Sequence, residues 1–242
     1  MRLFPLVVGL TSAILTAVAN PAGLLLHGQD KAALQRGANF FMNYCGGCHS
    51  LRYMRYNQLT RDLDLTSFEG VIDRDLLFNN LVFSKVKRDD PIRVSMPSAN
   101  ARRWFGVIPP DLSLIAKEKG PAWIVTYLKS FYRDSSRPFG SNNWLVPDAA
   151  MPNVLQPLIG QVIPIRGGST DLSILQLRHV GEGQMTADEL DHSLQDLVTF
   201  LVYVAEPSRE NRYFIGIFVI LFLFVFLLLA WKLKEFYWQR LP

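Results

Sequence analysis

A run of 19 residues without a charged side chain, Tyr213 to Trp231, limits the possible folds of this chain most. As an α-helix the run is about 28 Å long, close to the hydrocarbon thickness of a bilayer. A buried core helix is the alternative, but nothing else in the chain is apolar enough to surround such a cylinder. We therefore predict a transmembrane helix over residues 213–231, followed by a short basic tail over residues 232–242.

The first 19 residues form a second apolar segment, whose only charge is Arg2. The segment ends on Ala17-Val18-Ala19, a small-x-small pattern suited to signal peptidase. We expect a signal peptide over residues 1–19, with an uncleaved anchor helix as the alternative. With either a signal peptide or an uncleaved anchor helix, residues 20–210 are exported and the basic tail lies in the cytoplasm.

Charge is nearly balanced in the exported segment. Asn20 to Arg212 holds 21 Lys or Arg residues and 20 Asp or Glu residues. No block of basic residues interleaved with aromatics occurs, so the sequence gives no support for nucleic-acid binding.

Both cysteines of the chain lie in one pentapeptide, Cys45-Gly46-Gly47-Cys48-His49. This is the C-x-x-C-H signature of covalent c-type haem attachment. Two thiols three positions apart on a helical turn can add to the two vinyl groups of one haem, and the adjacent imidazole then lies under the iron. The motif predicts one haem c, attached through Cys45 and Cys48 and ligated by His49.

Other uses of two cysteines agree less well with the sequence. A thioredoxin-type dithiol requires a βαβ context, whereas the flanks of this motif have a helical pattern. A structural zinc site requires four ligands, and there is no second cysteine pair. A disulfide across a four-residue loop gains little entropy and leaves His49 unexplained.

Two amphipathic helices are predicted, one on each side of a loop-rich middle region. The first precedes the motif, with Leu34, Gly37, Ala38 and Phe41 at helical spacing. The second begins after a capping box, Thr186-Ala187-Asp188-Glu189, and ends before Pro207. Its apolar stripe consists of Leu190, Leu194, Leu197, Leu201 and Val204. In c-type cytochromes the positions of Gly37 and Phe41 let a C-terminal helix cross closely and pack an aromatic ring, and the chain resembles that arrangement.

The middle region is interrupted by eight prolines between residues 91 and 152. Short helical stretches such as Ala122 to Tyr132 lie between them. Residues 154–177 are richer in Val, Ile and Gly with some alternation, which predicts a small hairpin. The expected fold is mainly α, a loop-rich haem domain with one C-terminal transmembrane helix.

A second axial ligand would distinguish an electron carrier from an open catalytic or gas-binding haem. Met42 and Met54 lie too close to the motif to reach the opposite haem face, and Met185 is expected to pack at a helix start. Met96 and Met151 each precede a proline in loop-like sequence, which favours an extended backbone that can aim a thioether. Periodicity does not separate these two. The imidazole alternatives are His27, His179 and His192.

Four blocks of the chain resemble the cytochrome c1 family, in order and at the family's spacing. They are Leu34 to Leu51, Pro109-Pro110-Asp111-Leu112-Ser113-Leu114-Ile115, Ala150-Met151-Pro152 and Phe200-Leu201-Val202-Tyr203-Val204-Ala205-Glu206-Pro207. C-x-x-C-H specifies only haem; the P-P-D-L-S and A-E-P blocks followed by an anchor are the specific part. The resemblance implies that Met151 is the axial ligand and that Pro109 and Pro110 line the haem crevice.

The resemblance has one departure. Lys119 stands where members often carry an arginine that bonds a haem propionate. A lysine can neutralise a carboxylate, but not bidentately, so a solvated surface lysine is the alternative.

The resemblance also implies a function. The protein is expected to accept single electrons from a Rieske iron-sulfur protein and pass them to a soluble or membrane-attached cytochrome c. It would sit beside cytochrome b in ubiquinol:cytochrome c reductase and perform no bond chemistry of its own. The expected location is a bacterial inner membrane, single-pass, with the haem domain in the periplasm. The alternatives are a cytochrome c subunit of a terminal oxidase, and a haem enzyme or gas sensor with an open distal site.

Overall fold

A computed structural model describes residues 30–65, 87, 89–167 and 174–239. The residues up to Val204 form one compact unit and those from Ala205 onward form a second. The predicted signal peptide lies outside the described residues. The helices are α1 (Lys31–Tyr44), α2 (Tyr56–Asp62), α3 (Ser98–Phe105), α4 (Ile115–Glu118), α5 (Pro121–Lys129), α6 (Gln156–Ile159), α7 (Ala187–Ala205) and α8 (Arg209–Trp238). The strands are β1 (Leu51–Arg55), β2 (Pro91–Ile92), β3 (Phe131–Arg133), β4 (Ser141–Asn143), β5 (Gln161–Arg166) and β6 (Ile174–Val180).

The core of the first unit is built on the crossing of α1 and α7. A Cβ placed on Gly37 would lie 2.1 Å from the carbonyl oxygen of Asp196, so the two backbones touch at this point. One turn further along α1, the rings of Phe41 and Phe200 meet with centroids 5.9 Å apart, and both side chains are fully buried. The predicted close crossing and aromatic contact are confirmed.

The ends of α1 and α7 follow from their capping residues. The Asp30 carboxylate accepts hydrogen bonds from the first backbone N–H groups of α1, those of Ala32 and Ala33. At α7 the predicted capping box is present: Glu189 accepts from the Thr186 N–H at 2.8 Å, and the Thr186 hydroxyl accepts from the Glu189 N–H at 3.3 Å. The predicted apolar stripe is buried along α7: Leu190, Leu194, Leu197, Leu201 and Val204.

Short elements fill the middle of the chain, and the described strands form three antiparallel pairs. The predicted hairpin is confirmed as β5 paired with β6, in a register that joins Gln161 to Val180. It begins and ends later than expected, and residues 168–173 between its strands lie outside the described residues.

The predicted helix from Ala122 to Tyr132 is wrong at its C-terminal end. The helix ends at Lys129, and Phe131 pairs with Asn143 as part of a strand. The reason is that a residue of β4 satisfies a carbonyl group of the last turn: the Asn143 side chain donates to the Tyr127 carbonyl at 2.8 Å.

The second unit consists largely of α8, which has 30 residues. Its stretch Asn211–Trp238 contains a strongly apolar segment of 18 residues, none of which is buried. By length and composition this is the one helix in the described part of the chain that is able to cross a membrane. The apolar run 213–231 is thus helical as predicted, and the helix extends beyond it at both ends.

Candidate haem site

The C-x-x-C-H motif occupies tight turns at the end of α1. Cys45 is the C-cap residue of the helix, and its N–H donates to the Phe41 carbonyl at 2.8 Å. The Cys45 carbonyl then accepts from the N–H groups of Cys48 at 3.0 Å and His49 at 2.8 Å. The motif therefore keeps its two sulfur atoms and the imidazole within one continuous set of turns.

The environment of the two thiols does not favour thiolate chemistry. Both cysteines are half-buried and not joined to each other. Burial, with a smaller contribution from Cys48, raises the pKa of the Cys45 thiol to about 12, and burial also raises the pKa of Cys48. A redox-active dithiol needs a lowered thiol pKa, whereas a thioether carries no charge and is compatible with this burial.

The imidazole of His49 is held in one tautomer. Its Nδ1 lies 2.7 Å from the carbonyl oxygen of Pro110. A carbonyl can only accept, so Nδ1 carries the hydrogen and Nε2 keeps its lone pair. Burial lowers the pKa of His49, although the Pro110 carbonyl and Asp111 act to raise it. A neutral imidazole with an oriented Nε2 lone pair is the form that ligates a metal.

Asp111 fixes the segment that supplies the Pro110 carbonyl. Its carboxylate accepts from the Arg52 N–H at 2.9 Å, from Arg52 Nε at 3.2 Å and from the Ser113 N–H at 3.0 Å. Burial raises the pKa of Asp111, but the hydrogen bonds from Ser113 and Arg52 outweigh it and hold the pKa below its ordinary value. The carboxylate thereby ties the P-P-D-L-S block to β1, beside His49.

The start of the loop that carries Met151 is hydrogen-bonded to a buried asparagine side chain. Asn143 is fully buried, and its Oδ1 accepts from the N–H groups of Leu145 and Val146, each at 2.9 Å. Its Nδ2 donates to the Tyr127 carbonyl at the end of α5. One side chain thus joins the start of the Met151 loop to a helix.

Two further side chains of β4 fix the rest of that loop. Asn142 Oδ1 accepts from the Asp148 N–H at 2.9 Å, and Ser141 Oγ accepts from the Asn153 N–H at 3.1 Å. The backbone is therefore tied on both sides of Met151. Met151 is half-buried.

The other methionines lie in different surroundings. Met42 and Met54 are buried in α1 and β1. Met96 is half-buried between β2 and α3. Met185 is half-buried directly before the α7 capping box.

Lys119 is exposed at the end of α4. Its Nζ lies 3.1 Å from a carboxylate oxygen of Glu118 and 5.9 Å from the ring centre of Trp123. Both contacts are typical of a surface lysine, and the contact with a propionate stays a prediction.

The donor set and its surroundings fit a c-type haem. Two neutral thiols, one oriented imidazole and a tethered methionine loop are the parts that such a group requires. Apolar side chains in the segment around Pro109–Pro110 and in the loop that leads to Met151 are exposed to solvent, as an apolar group such as a porphyrin requires: Val107, Ile108, Leu114, Trp144, Leu145 and Val146. Fold and site together define a c-type cytochrome with an apolar C-terminal helix.

Comparison with known proteins places the chain within this class. The model of the Cytochrome C1 family matches residues 22–241. Cytochrome c1 of Allochromatium vinosum is 44% identical over 215 residues, which cover 87% of this chain and 85% of that protein. The ammonia monooxygenase gamma subunit of Nitrosomonas europaea is 40% identical over 211 residues, which cover 87% and 84%. Cytochrome c1 of Blastochloris viridis is 29% identical over 235 residues, which cover 84% and 80%.

The chain belongs to the cytochrome c1 family. It is a haem-carrying electron-transfer subunit with a c-type haem, and its C-terminal helix fits a membrane anchor. Several residues that organise the site escape sequence reasoning, namely Arg52, Asp111, Tyr127, Ser141, Asn142 and Asn143. Only Asp111 lies in a block with a family resemblance; the others are polar residues in short elements and give no distinct signal.

Proposed function

We propose that this chain carries one haem, attached covalently through Cys45 and Cys48, with His49 and Met151 as its axial ligands. In this role it receives single electrons from a Rieske iron-sulfur protein and delivers them to a soluble or membrane-attached cytochrome c. Cytochrome b is its companion in the same quinol-oxidising complex. The observation that carries the proposal is the 2.7 Å contact between His49 Nδ1 and the Pro110 carbonyl, which leaves Nε2 free to ligate iron.

Each residue has a distinct task. Haem c supplies a one-electron iron couple, whose potential is raised by methionine ligation. Cys45 and Cys48 hold the group to the chain by two thioether bonds. Pro110 orients the His49 ring, and Pro109 and Pro110 line the crevice. Met151 would supply the second ligand of the iron, and Lys119 would neutralise a haem carboxylate.

The proposed topology follows from the two apolar segments. A signal peptide over residues 1–19 exports residues 20–210 to the periplasm of a bacterial cell. Residues 213–231 span the inner membrane, and residues 232–242 lie in the cytoplasm. This arrangement puts the haem domain on the side where soluble cytochromes c reach it.

Haem staining on a denaturing gel tests the covalent attachment. The wild-type band should stain at the mass of the chain, because thioether bonds survive denaturation. The Cys45→Ala, Cys48→Ala double variant should not stain. Staining of the double variant would overturn the attachment.

Gentle purification from membranes tests the partners. A Rieske protein and cytochrome b should accompany the chain, and quinol should reduce its haem in that preparation. Recovery with the subunits of a terminal oxidase instead would favour the oxidase alternative. Rapid binding of carbon monoxide by the reduced protein would favour an open distal site.

A further inference from the structure

The hydroxyl of Tyr127 lies 3.6 Å from the sulfur atom of Met151. The distance is suitable for a hydrogen bond to sulfur, which is a larger and weaker acceptor than oxygen. A thioether has no hydrogen to give, so the direction is fixed: Tyr127 donates and Met151 accepts. The P-P-D-L-S, A-M-P and C-x-x-C-H blocks contain no hint of this contact.

The Tyr127 ring is held on two sides. It stacks on Trp123 with centroids 5.0 Å apart and planes 7° apart. It also meets Phe131 edge-on, with centroids 5.2 Å apart. Aromatic contacts of this kind fix the position of the ring, and with it the position of the hydroxyl.

The helix and the methionine loop share one tether. Asn143 donates to the Tyr127 carbonyl at 2.8 Å and accepts from Leu145 and Val146, in the loop that leads to Met151. Donor and acceptor are therefore positioned by the same fully buried side chain. The start of the Met151 loop is thus fixed to the helix that carries the tyrosine.

We propose that Tyr127 is a positioning residue that orients the Met151 thioether and raises the reduction potential of the bound haem. This inference rests on the proposed function, in which Met151 is an axial ligand. A thioether sulfur has two lone pairs, so one can bind iron while the other accepts the tyrosine O–H. The hydrogen bond draws electron density from sulfur and is stronger when the iron is reduced. Tyr127 thereby stabilises the reduced state more than the oxidised state.

Tyr127→Phe in the full-length, membrane-inserted, haem-loaded protein tests the inference. The substitution keeps the ring that stacks on Trp123 and removes only the hydroxyl. At a fixed ambient potential the ratio of reduced to oxidised protein should fall about two- to tenfold, the range given by the net worth of one hydrogen bond. That change corresponds to a potential lower by about 20 to 60 mV at 59 mV per tenfold. The red thioether-to-iron absorption of the oxidised protein should persist.

Tyr53→Phe is the matched control, because the Tyr53 side chain is exposed on β1. Its potential should equal that of the wild type. An unchanged or higher potential in Tyr127→Phe would overturn the inference, and so would complete loss of the red absorption, which would make the hydroxyl a requirement for ligation. If Tyr127→Phe does not accumulate, Tyr127→Leu removes the hydroxyl together with the ring, and an unchanged or higher potential in that variant would equally overturn the inference.

Met151→Leu separates this inference from the proposed function. If Met151→Leu loses the red absorption while Tyr127→Phe keeps the wild-type potential, Met151 is the axial ligand and only the proposed role of Tyr127 is wrong. Retention of the absorption in Met151→Leu would remove the axial role of Met151 and the inference with it.

Discussion

Gly37 on α1 and Asp196 on α7 are in direct backbone contact, since a Cβ on Gly37 would stand 2.1 Å from the Asp196 carbonyl oxygen. The same Cβ would lie 2.7 Å from Cβ of Phe200. Beside this point the Asp196 carboxylate binds Arg36 through two hydrogen bonds, of 2.6 Å to Nε and 3.0 Å to Nη2. The helix that leads to the haem motif is thus fixed to the last helix of the domain by a backbone contact and an ion pair.

We predict that Gly37→Ala destabilises the haem domain by about 1 to 3 kcal/mol, the usual cost of overpacking. The gain of about 1 kcal/mol in helix propensity offsets only part of this cost. The rest of the cost remains because the nearest atoms are backbone atoms of Asp196, which cannot move aside as a flexible side chain can. Denaturant unfolding in detergent measures the change. Gly216→Ala is the control, since a Cβ there would meet no atom within 4 Å. Equal stability of Gly37→Ala and wild type would contradict the close crossing.

Asn143 gives a second prediction. Asn143→Leu keeps a similar volume but leaves the N–H groups of Leu145 and Val146 without their acceptor, whereas the Tyr127 carbonyl keeps the Ser130 N–H at 3.2 Å. An unsatisfied buried group costs about 1 to 3 kcal/mol, and these two N–H groups are only partly buried, so we expect a total loss of about 2 to 4 kcal/mol in the free energy of unfolding. The red absorption should also weaken at a lower temperature than in the wild type. Ser135→Ala, in an exposed turn, should change neither quantity.

The parts of the fold that sequence predicts are those with a local cause. Helices α1 and α7 follow from periodic apolar residues, and the start of α7 follows from Thr186 and Glu189. The end of α5 was not predictable in this way, because it depends on Asn143, which lies 16 positions after Tyr127. The helix propensity of a segment gives no information on a hydrogen-bond partner that lies on another element of the fold.

In the candidate site, too, the sequence predicts the residues of the local motif but not the contacts that form only in the folded chain. The motif names Cys45, Cys48 and His49 from spacing alone, but the orientation of the imidazole depends on Pro110, 61 positions away. Tyr127 likewise meets Met151 only in the folded chain. Contacts over such separations are visible in a sequence only through family resemblance, which pointed to Pro110 and Met151 but not to Tyr127.

Tyr203 gives a prediction of pH dependence. Its hydroxyl donates to Asp62, joining α7 to α2. Burial, followed by the hydrogen bond and charge of Asp62, raises the pKa of Tyr203 above its ordinary value. A raised pKa in the folded state means that the stabilisation is complete below about pH 10, the ordinary tyrosine pKa, and is lost as the pH rises above it.

At pH 8 we therefore expect Tyr203→Phe to be less stable than the wild type by about 1 kcal/mol, the net worth of one hydrogen bond. The difference should shrink between about pH 10 and pH 11, because the unfolded wild-type chain then releases the tyrosine proton. Thermal unfolding of both proteins over this range measures it. A difference that grows with pH would show that the Tyr203 proton is not retained preferentially in the folded state.

Topology gives a fourth prediction. Protease added to spheroplasts should digest the domain over residues 20–210, because the signal exports everything before the anchor. An epitope tag fused after Pro242 should stay protected until the membrane is permeabilised. Protection of the domain together with digestion of the tag would reverse the proposed orientation.

The axial role of Met151 gives the last prediction. Met151→Leu keeps roughly the volume and apolarity of the side chain, so the fold should survive at a cost below about 1.5 kcal/mol. Without the thioether the reduced iron loses its preferential stabilisation, so the potential should fall and the reduced protein should bind carbon monoxide. The haem should remain attached through Cys45 and Cys48. Electron acceptance from the iron-sulfur partner should fail, as measured by quinol-driven reduction in membranes.

Met96→Leu is the control, because Met96 also precedes a proline but lies between β2 and α3 rather than in the loop tied to Ser141 and Asn142. This variant should keep the potential and the visible spectrum of the wild type. The reverse pattern, with the red absorption lost in Met96→Leu and kept in Met151→Leu, would assign the axial position to Met96. The hydrogen bonds on both sides of Met151 are the structural reason to expect the first result, since an axial thioether must be held in one place in both oxidation states.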